Sequence, residues 1–369
     1  MTCIFVTDKE GKKDSEMKTL DDKVNDACHR IEDLYHETDG KCCVSFSGGK
    51  DSTVLLALIK LCEEVYTIPP GSIPAVFSNT GVELGITVDF VKWVKNNYYQ
   101  NVVIIHPLKS FDQVLKENGK PMKSKLKAEL MHRWHTGRRT EYVKGSLIDG
   151  VLPTGTPTMR TKIADKDLHM LHDRFPIIAS ADCCEHMKKR AFRKFEEEGG
   201  YLGGIVGIRT GEGGARTIAA MRRVKDGGKL CTFYQHGHLR KAPIIDWSNE
   251  DVDAFIEKYE VPLSDAYTKY GFLRTGCMAC PFSWDLSTYL CYLHDHEPNR
   301  YKAAMHWLKD VYIAQNVVLP FDEEYERERE RTWRELYEPM RQEMLRKYRP
   351  GSKLIKDEEQ MTIFDYLYE

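Results

Sequence analysis

Nowhere in this 369-residue chain do apolar residues run uninterrupted for the roughly 18 positions that a membrane-spanning helix needs, and the first thirty residues are charged rather than signal-like. A cytoplasmic protein with no membrane contact is expected. Charge of one sign is missing as well. The 54 Lys and Arg are offset by 56 Asp and Glu, a formal net charge of −2, so the total names no class of partner. Cysteine is present but in the wrong arrangement for secretion: eleven is an odd number, and two of the pairs are adjacent. That suits neither a disulfide framework nor an oxidising compartment, and points to reduced thiols or a metal. No internal repeat is visible. What remains, 41% apolar and 30% charged residues, describes a soluble globular chain with room for one large domain and appendages or for two modest ones.

The rest of the chain is organised around one stretch. Residues 42–46 are an apolar run that breaks at Ser47-Gly48-Gly49-Lys50-Asp51-Ser52 and resumes as an apolar, helix-like run from Thr53. This reads as strand, tight loop and helix. Glycines let backbone N–H groups approach an anion closely, and the start of the next helix aims its unsatisfied N–H groups and positive dipole end at the same point. Lys50 adds an ammonium, and Asp51 and Ser52 are placed to cap the helix or to reach a magnesium ion. The simpler alternative is a strand-to-helix turn capped by Asp51. The spacing is not that of a Walker A loop. The six residues resemble instead the PP-loop of ATP pyrophosphatases and of the phosphoadenylyl-sulfate reductase family. The resemblance implies a nucleotide held for reaction at its α-phosphate.

In chain order, residues 1–40 form an N-terminal helical segment, with Leu20, Val24, Ala27, Cys28, Ile31 and Leu34 at helical spacing. A nucleotide-binding α/β domain is expected over 41–265, with strands at 73–77, 102–105, 203–208 and 242–247, and with helices from about 51 to 64 and from 248 to 259. Alternating strands and helices imply a doubly wound, mostly parallel sheet whose ligand lies at the carboxyl ends of the strands. Both Ser47–Ser52 and Asn79-Thr80-Gly81-Val82-Glu83 would sit there. A helical insertion at about 116–180 interrupts the alternation, a cysteine-bearing helical region follows over 266–320, and a charged helix and tail fill 321–369. In that last stretch Glu324/Arg327, Glu326/Arg329 and Glu328/Arg331 stand at i, i+3 as exposed pairs.

Charge gathers locally where the total hides it. Between Lys116 and Lys166 stand twelve Lys and Arg against five acids, an excess of seven. That favours a nucleic acid or other polyanion as partner over a solvated helical face. Four cysteines also stand apart: adjacent Cys183-Cys184, and Cys277 and Cys280 in a Cys-x-x-Cys ahead of Pro281. Cys28, Cys62 and Cys231 read as core residues. Adjacent cysteines are awkward for one tetrahedral zinc and easier on neighbouring corners of a 4Fe-4S cube, so the cluster is favoured, zinc is the alternative and an empty thiol site the third reading.

Taken together, Cys183-Cys184 with Lys188, then Gly207-Ile208-Arg209 with Glu212 and Arg216, then Pro243–Trp247 with Asp251-Val252, then Gly276-Cys277 through Cys280-Pro281 resemble the iron–sulfur branch of the phosphoadenylyl-sulfate reductase family over roughly residues 40–285. The implied fold is adenine nucleotide α-hydrolase-like. Asn79–Glu83 is similar to that family's Asp-Thr-Gly segment, with Asn for the usual Asp. The resemblance implies that Ser47, Gly48, Gly49, Lys50, Asp51, Ser52, Asn79, Thr80, Gly81, Glu83, Gly207 and Arg209 bind ATP or an adenylyl-sulfate-type nucleotide with magnesium. Lys50, Asp51, Lys188, Arg209 and Arg216 would be catalytic, and Cys183, Cys184, Cys277 and Cys280 would hold the metal. The family's reductases carry a mobile C-terminal cysteine, whereas no cysteine follows Cys291 here. DndC-like sulfur-transfer proteins, which serve DNA phosphorothioation, fit better. A sulfur-transfer enzyme is therefore expected, with a sulfur donor protein among its partners. A reductase of adenylyl sulfate or its 3′-phosphate, and an inactive nucleotide-binding adaptor, are the alternatives. Finally, Gln360-Met361-Thr362-Ile363-Phe364 resembles peptides that dock on the bacterial sliding clamp, its alternative being a tail folded on its own domain.

Overall fold

The computed structural model describes residues 18–66, 68–212, 221–222, 224–225 and 227–356. The chain separates into two compact units, Met1–Leu108 with Lys188–Gly276 and Lys109–Met187 with Cys277–Glu369. Among the described residues, no helix is long and apolar enough to cross a membrane.

The first unit is a six-stranded sheet of β1 (Cys42–Ser45), β2 (Ala75–Ser78), β3 (Val102–Ile105), β4 (Gly203–Ile205), β5 (Thr232–Gln235) and β6 (His238–Lys241), in the order β3-β2-β1-β4-β6-β5. All pairings are parallel except the edge pair β5–β6. Such a sheet is covered on both faces, which is why β1, β2 and β4 bury nearly every residue instead of alternating. Helices α1 (Leu20–Glu37), α2 (Lys50–Val65) and α3 (Gly85–Asn97) pack their apolar residues with the strands into one core that also takes in Ile244, Trp247 and Phe255. The fold is an α/β, doubly wound, mostly parallel sheet.

Two elements differ from the sequence expectation. Ala242–Trp247 is a turn, not a strand: Ile245 N–H donates to Ala242 O (3.2 Å) and Trp247 N–H to Ile244 O (3.1 Å). Pro243 has no N–H for a ladder. Its carbonyl instead accepts from buried Arg30 (2.5 Å), which also grips Asp246 (2.8 Å). The strand is the preceding segment, β6, which forms a hairpin with β5 through a two-residue loop in which both His236 (φ 53°) and Gly237 (φ 82°) are left-handed. Helix Asn249–Lys258 starts where expected, with Ser248 and Asp251 forming a capping box.

The second unit is helical. It comprises α4 (Phe111–Asn118), α5 (Lys125–His135), the turns of residues 141–149, and helices Leu286–His296, Pro298–Ala314, Glu323–Thr332 and Glu338–Tyr348. Of the three expected i, i+3 pairs, Glu326–Arg329 forms at 2.6 Å. Glu328 turns instead to Lys309 (2.7 Å), a neighbour on another helix, and Arg327 bonds the Glu323 carbonyl.

Candidate functional site

In the sheet order, the chain leaves β1 toward β2 on one side and β4 lies on the other, so the loop after β1 stands at the point where the winding reverses. Open α/β sheets bind ligands at that point. Gly48 takes φ +73°, which strains any side chain, and a Cβ there would meet Thr87 Cγ2 at 3.1 Å and Val91 Cγ2 at 3.2 Å, so α3 would have to give by a few tenths of an ångström. Gly49 is the N-cap of α2 and offers no side-chain cap. Asp51 does not cap this helix, contrary to one sequence expectation. Its carboxylate accepts from Arg209 Nε at 2.8 Å, and Arg209, itself buried, also donates to Asn249 Oδ1 at 3.1 Å. Gly207 lies beside this pair, its Cβ position at ordinary contact distance, 3.4 Å, from Asp51.

The loop is braced from within by Ser52, whose hydroxyl accepts from Ser47 N (3.2 Å), lies 3.1 Å from Ser47 Oγ and donates to Gly49 O (2.8 Å). Lys50 is held loosely. Its ammonium lies 3.0 Å from Asp253 in a pair whose members are 35% and 61% exposed, a contact that contributes little and that an anion can replace. The loop after β2 is tighter: buried Glu83 accepts from Thr80 N (2.9 Å) and Thr80 Oγ1 (2.7 Å), and Lys188 Nζ pairs with it at 3.2 Å. Asn79 Oδ1 accepts from Gly81 N (3.3 Å). Arg216 lies outside the described residues.

A cavity of about 240 Å³ opens beside the loop, lined among others by Ser45, Ser47, Phe77, Lys188, Arg193 and Arg240. This is below the roughly 300 Å³ at which whole-ligand clefts begin, so it suits a phosphate group or one ring rather than an entire nucleotide. Arg240 is fixed there by Glu196, with Nη2 2.7 Å from Oε2 and neither side chain more than 5% exposed.

In the second unit, Cys183, Cys184, Cys277 and Cys280 are half-buried, and all are free thiols. Cys183 is pushed well up, first by its hydrogen bond with Cys184, then by burial and by the charges of Cys184, Cys280 and Cys277. Burial, then Cys277, pushes Cys280 up to about 12, while Lys125 pulls the other way. The four thiols therefore share one electrostatic environment. Among the described residues, however, no group of three or more His, Cys, Asp or Glu is arranged to hold a metal ion. The Cys-x-x-Cys turn is shaped by Ala279 at φ 54°, whose carbonyl accepts from fully buried Tyr312 at 2.6 Å.

Sequence reasoning missed Asp253, Arg193, Tyr312 and Tyr267, whose hydroxyl accepts from Lys50 N–H, since none lies in a recognisable local motif, and it did not connect Lys125 of the basic stretch with Cys280. It counted twelve cations in the basic stretch. Five are paired in this unit: Lys116 with Asp112, Lys120 with Asp310, Lys123 with Asp167, Arg133 with Glu129 and Arg139 with Asp173. Lys125, Lys127, Arg138, Lys144, Arg160, Lys162 and Lys166 have no ion pair among the described residues.

Comparison with known proteins gives the family. The phosphoadenosine phosphosulfate reductase domain matches residues 41–150 and 152–283, well over half of the chain. An uncharacterized protein of Methanocaldococcus jannaschii is 24% identical over 238 residues, which are 64% of this chain and 40% of that relative, so the chain spans well under half of its length. Among solved structures, phosphoadenylyl-sulfate (PAPS) reductase from Candida auris, a phosphate complex, has a TM-score of 0.39 at 13% identity, covering 72% of this chain and 98% of that one. The U34-tRNA thiolase NcsA from Methanococcus maripaludis, with its 4Fe-4S cluster, has a TM-score of 0.34 at 12% identity, covering 79% and 80%. With the domain match running from the strand before the glycine loop to just past Cys280, the chain belongs to the phosphoadenosine phosphosulfate reductase domain family.

Proposed function

We propose that this chain is a nucleotide-dependent sulfur-transfer enzyme that splits ATP between its α- and β-phosphates. The observation that carries the reading is the glycine loop at the sheet's winding reversal, where Gly49, the N-cap of α2, brings no side chain of its own and Lys50 is only loosely paired. Backbone N–H groups of Ser47–Ser52 bind the departing pyrophosphate, and Lys50 leaves Asp253 to neutralise charge at the α-phosphate. Arg209, fixed by Asp51, and Lys188, fixed by Glu83, supply further positive charge, with Arg216 in the same role. Asp51 and Ser52 are both engaged within the protein, so they do not fit the magnesium role, and no step is assigned to that ion.

The acceptor's oxygen attacks the α-phosphorus, forming a P–O bond as the bond to pyrophosphate breaks. A hydrosulfide sulfur then bonds to the acceptor atom that carries the activated oxygen, carbon in a base or phosphorus in a phosphodiester, as that atom's bond to the oxygen breaks, releasing AMP. Cys183, Cys184, Cys277 and Cys280 fit a 4Fe-4S cluster in number and donor type, and zinc equally by those criteria. When bound, the cluster would supply a thiophilic, redox-active centre. The seven cations without ion pairs support a nucleic acid as acceptor, as in DNA phosphorothioation. The clamp-like Gln360–Phe364 lies outside the described residues and remains part of the proposal, as does a sulfur donor protein.

The family's own description favours a second reading, reduction of phosphoadenylyl sulfate or adenylyl sulfate. Incubating the pure protein with ATP and a nucleic acid acceptor, and separately with phosphoadenylyl sulfate and a dithiol reductant, separates the two. Pyrophosphate from ATP supports sulfur transfer, sulfite from the other substrate supports reduction, and neither would leave an adaptor.

A further inference from the structure

The first amide of α2 is the donor that an anion in the glycine loop would use, and in this structure it is already taken. Lys50 N–H donates to the hydroxyl of Tyr267 at 3.2 Å, and that hydroxyl lies 3.1 Å from Thr275 Oγ1. The two side chains close over the loop. A Cβ built on Gly49 would lie 3.1 Å from Thr275 Oγ1 and 3.3 Å from the Tyr267 hydroxyl. The Lys50 ammonium stands 5.8 Å from the centre of the Tyr267 ring. Tyr267 is carried by the short helix Asp265–Thr268, anchored by buried Ser264 and Ala266 and by Phe272 N–H donating to Ala266 O at 2.8 Å. Thr275, by contrast, follows a stretch that is exposed apart from Phe272: Leu273 is 68% exposed, and Gly271 has a left-handed φ of 65°. Two residues later comes Cys277.

We propose that Tyr267 and Thr275 are a plug in the phosphate site, with the Tyr267 hydroxyl standing where a nucleotide phosphate oxygen binds and leaving when the nucleotide arrives. The inference rests on the glycine loop being the nucleotide site. An N–H bond to a phosphate oxygen is charge-assisted and roughly twice as strong as one to a neutral hydroxyl, so the exchange runs toward the nucleotide. Once displaced, Tyr267 no longer holds Thr275, and residues 269–276 lose their tie to the loop just ahead of the Cys-x-x-Cys. Nucleotide occupancy is thereby passed along the chain to the cysteine-bearing segment.

The test is calorimetric titration of the full chain with pyrophosphate and with ATP, combined with hydrogen exchange at residues 269–276. Tyr267→Phe removes the competing hydroxyl while keeping the ring, and should tighten both ligands about three- to tenfold, the range of one neutral hydrogen bond. In wild type, ligand should speed exchange in 269–276. In Tyr267→Phe, exchange should be fast before ligand is added, and Thr275→Val should move both readouts the same way by less. Weaker binding by Tyr267→Phe would make the hydroxyl a phosphate ligand and overturn the plug, as would unchanged affinity. Lys50→Ala separates the two failures. If it loses affinity while Tyr267→Phe matches wild type, only the plug is wrong; if it too binds like wild type, the loop is not the site.

Discussion

Replacing Asp51 by Asn tests how the glycine loop is held. The substitution keeps the shape and one acceptor oxygen but removes the charge opposite Arg209, whose side chain is 8% exposed. Breaking a fully buried pair by removing one partner costs about 3–5 kcal/mol. Here Asp51 is 20% exposed and Asn249 still accepts from the guanidinium at 3.1 Å, so we expect about 2–4 kcal/mol. At roughly 2–4 °C per kcal/mol for units of this size, melting should fall by about 4–16 °C. Thermal melting followed by near-ultraviolet circular dichroism measures this without any substrate. The double variant Asp51→Asn/Arg209→Met should recover much of the loss, because no buried charge is left unmatched. Melting within about a degree of wild type for Asp51→Asn, or additive losses in the double variant, would show that the pair does not hold the loop.

Lys50→Ala should abolish nucleotide turnover, with a loss of at least about 100-fold, yet change urea-unfolding stability by less than about 1 kcal/mol because its pair with Asp253 is exposed. Burial pushes His169 down to about 4. The unfolded chain therefore takes up that proton first as pH falls from about 6.5, and up to about 3 kcal/mol of stability present at pH 7 is lost between there and pH 4. Urea midpoints across that window should fall in wild type and fall less in His169→Gln. Neutralising Arg138, Lys144, Arg160 and Lys166 together should weaken binding to a fluorescent oligonucleotide and flatten its salt dependence, whereas neutralising the paired Lys120 and Lys123 should cost mainly stability.

The sheet's centre was legible because parallel strands buried on both faces are short apolar runs, as in Ala75–Phe77, and because Ser47–Ser52 punctuates one of them where a helix starts. Its edge was not. The strands β5 and β6 carry Gln235, His238, Arg240 and Lys241, and only the His236-Gly237 turn signalled a hairpin. Ala242–Trp247 misled in the opposite direction, since buried apolar residues satisfied by a turn and by Arg30 look like a strand. Within the site, residue types were readable but partnerships were not. Lys50 meets Tyr267 across 217 positions and Asp253 across 203, and Asp51 meets Arg209 across 158, distances at which no local pattern operates. The charge count of the basic stretch was likewise correct, while the matching of Lys120 to Asp310, far along the chain, needed the fold.

The products of ATP consumption bear most directly on the proposed chemistry. With a nucleic acid acceptor and hydrosulfide supplied anaerobically, phosphorus NMR should show AMP and pyrophosphate appearing in equal amounts with wild-type protein and neither with Lys50→Ala. ADP and orthophosphate, or the same AMP and pyrophosphate from Lys50→Ala, would contradict α-phosphate chemistry at this loop.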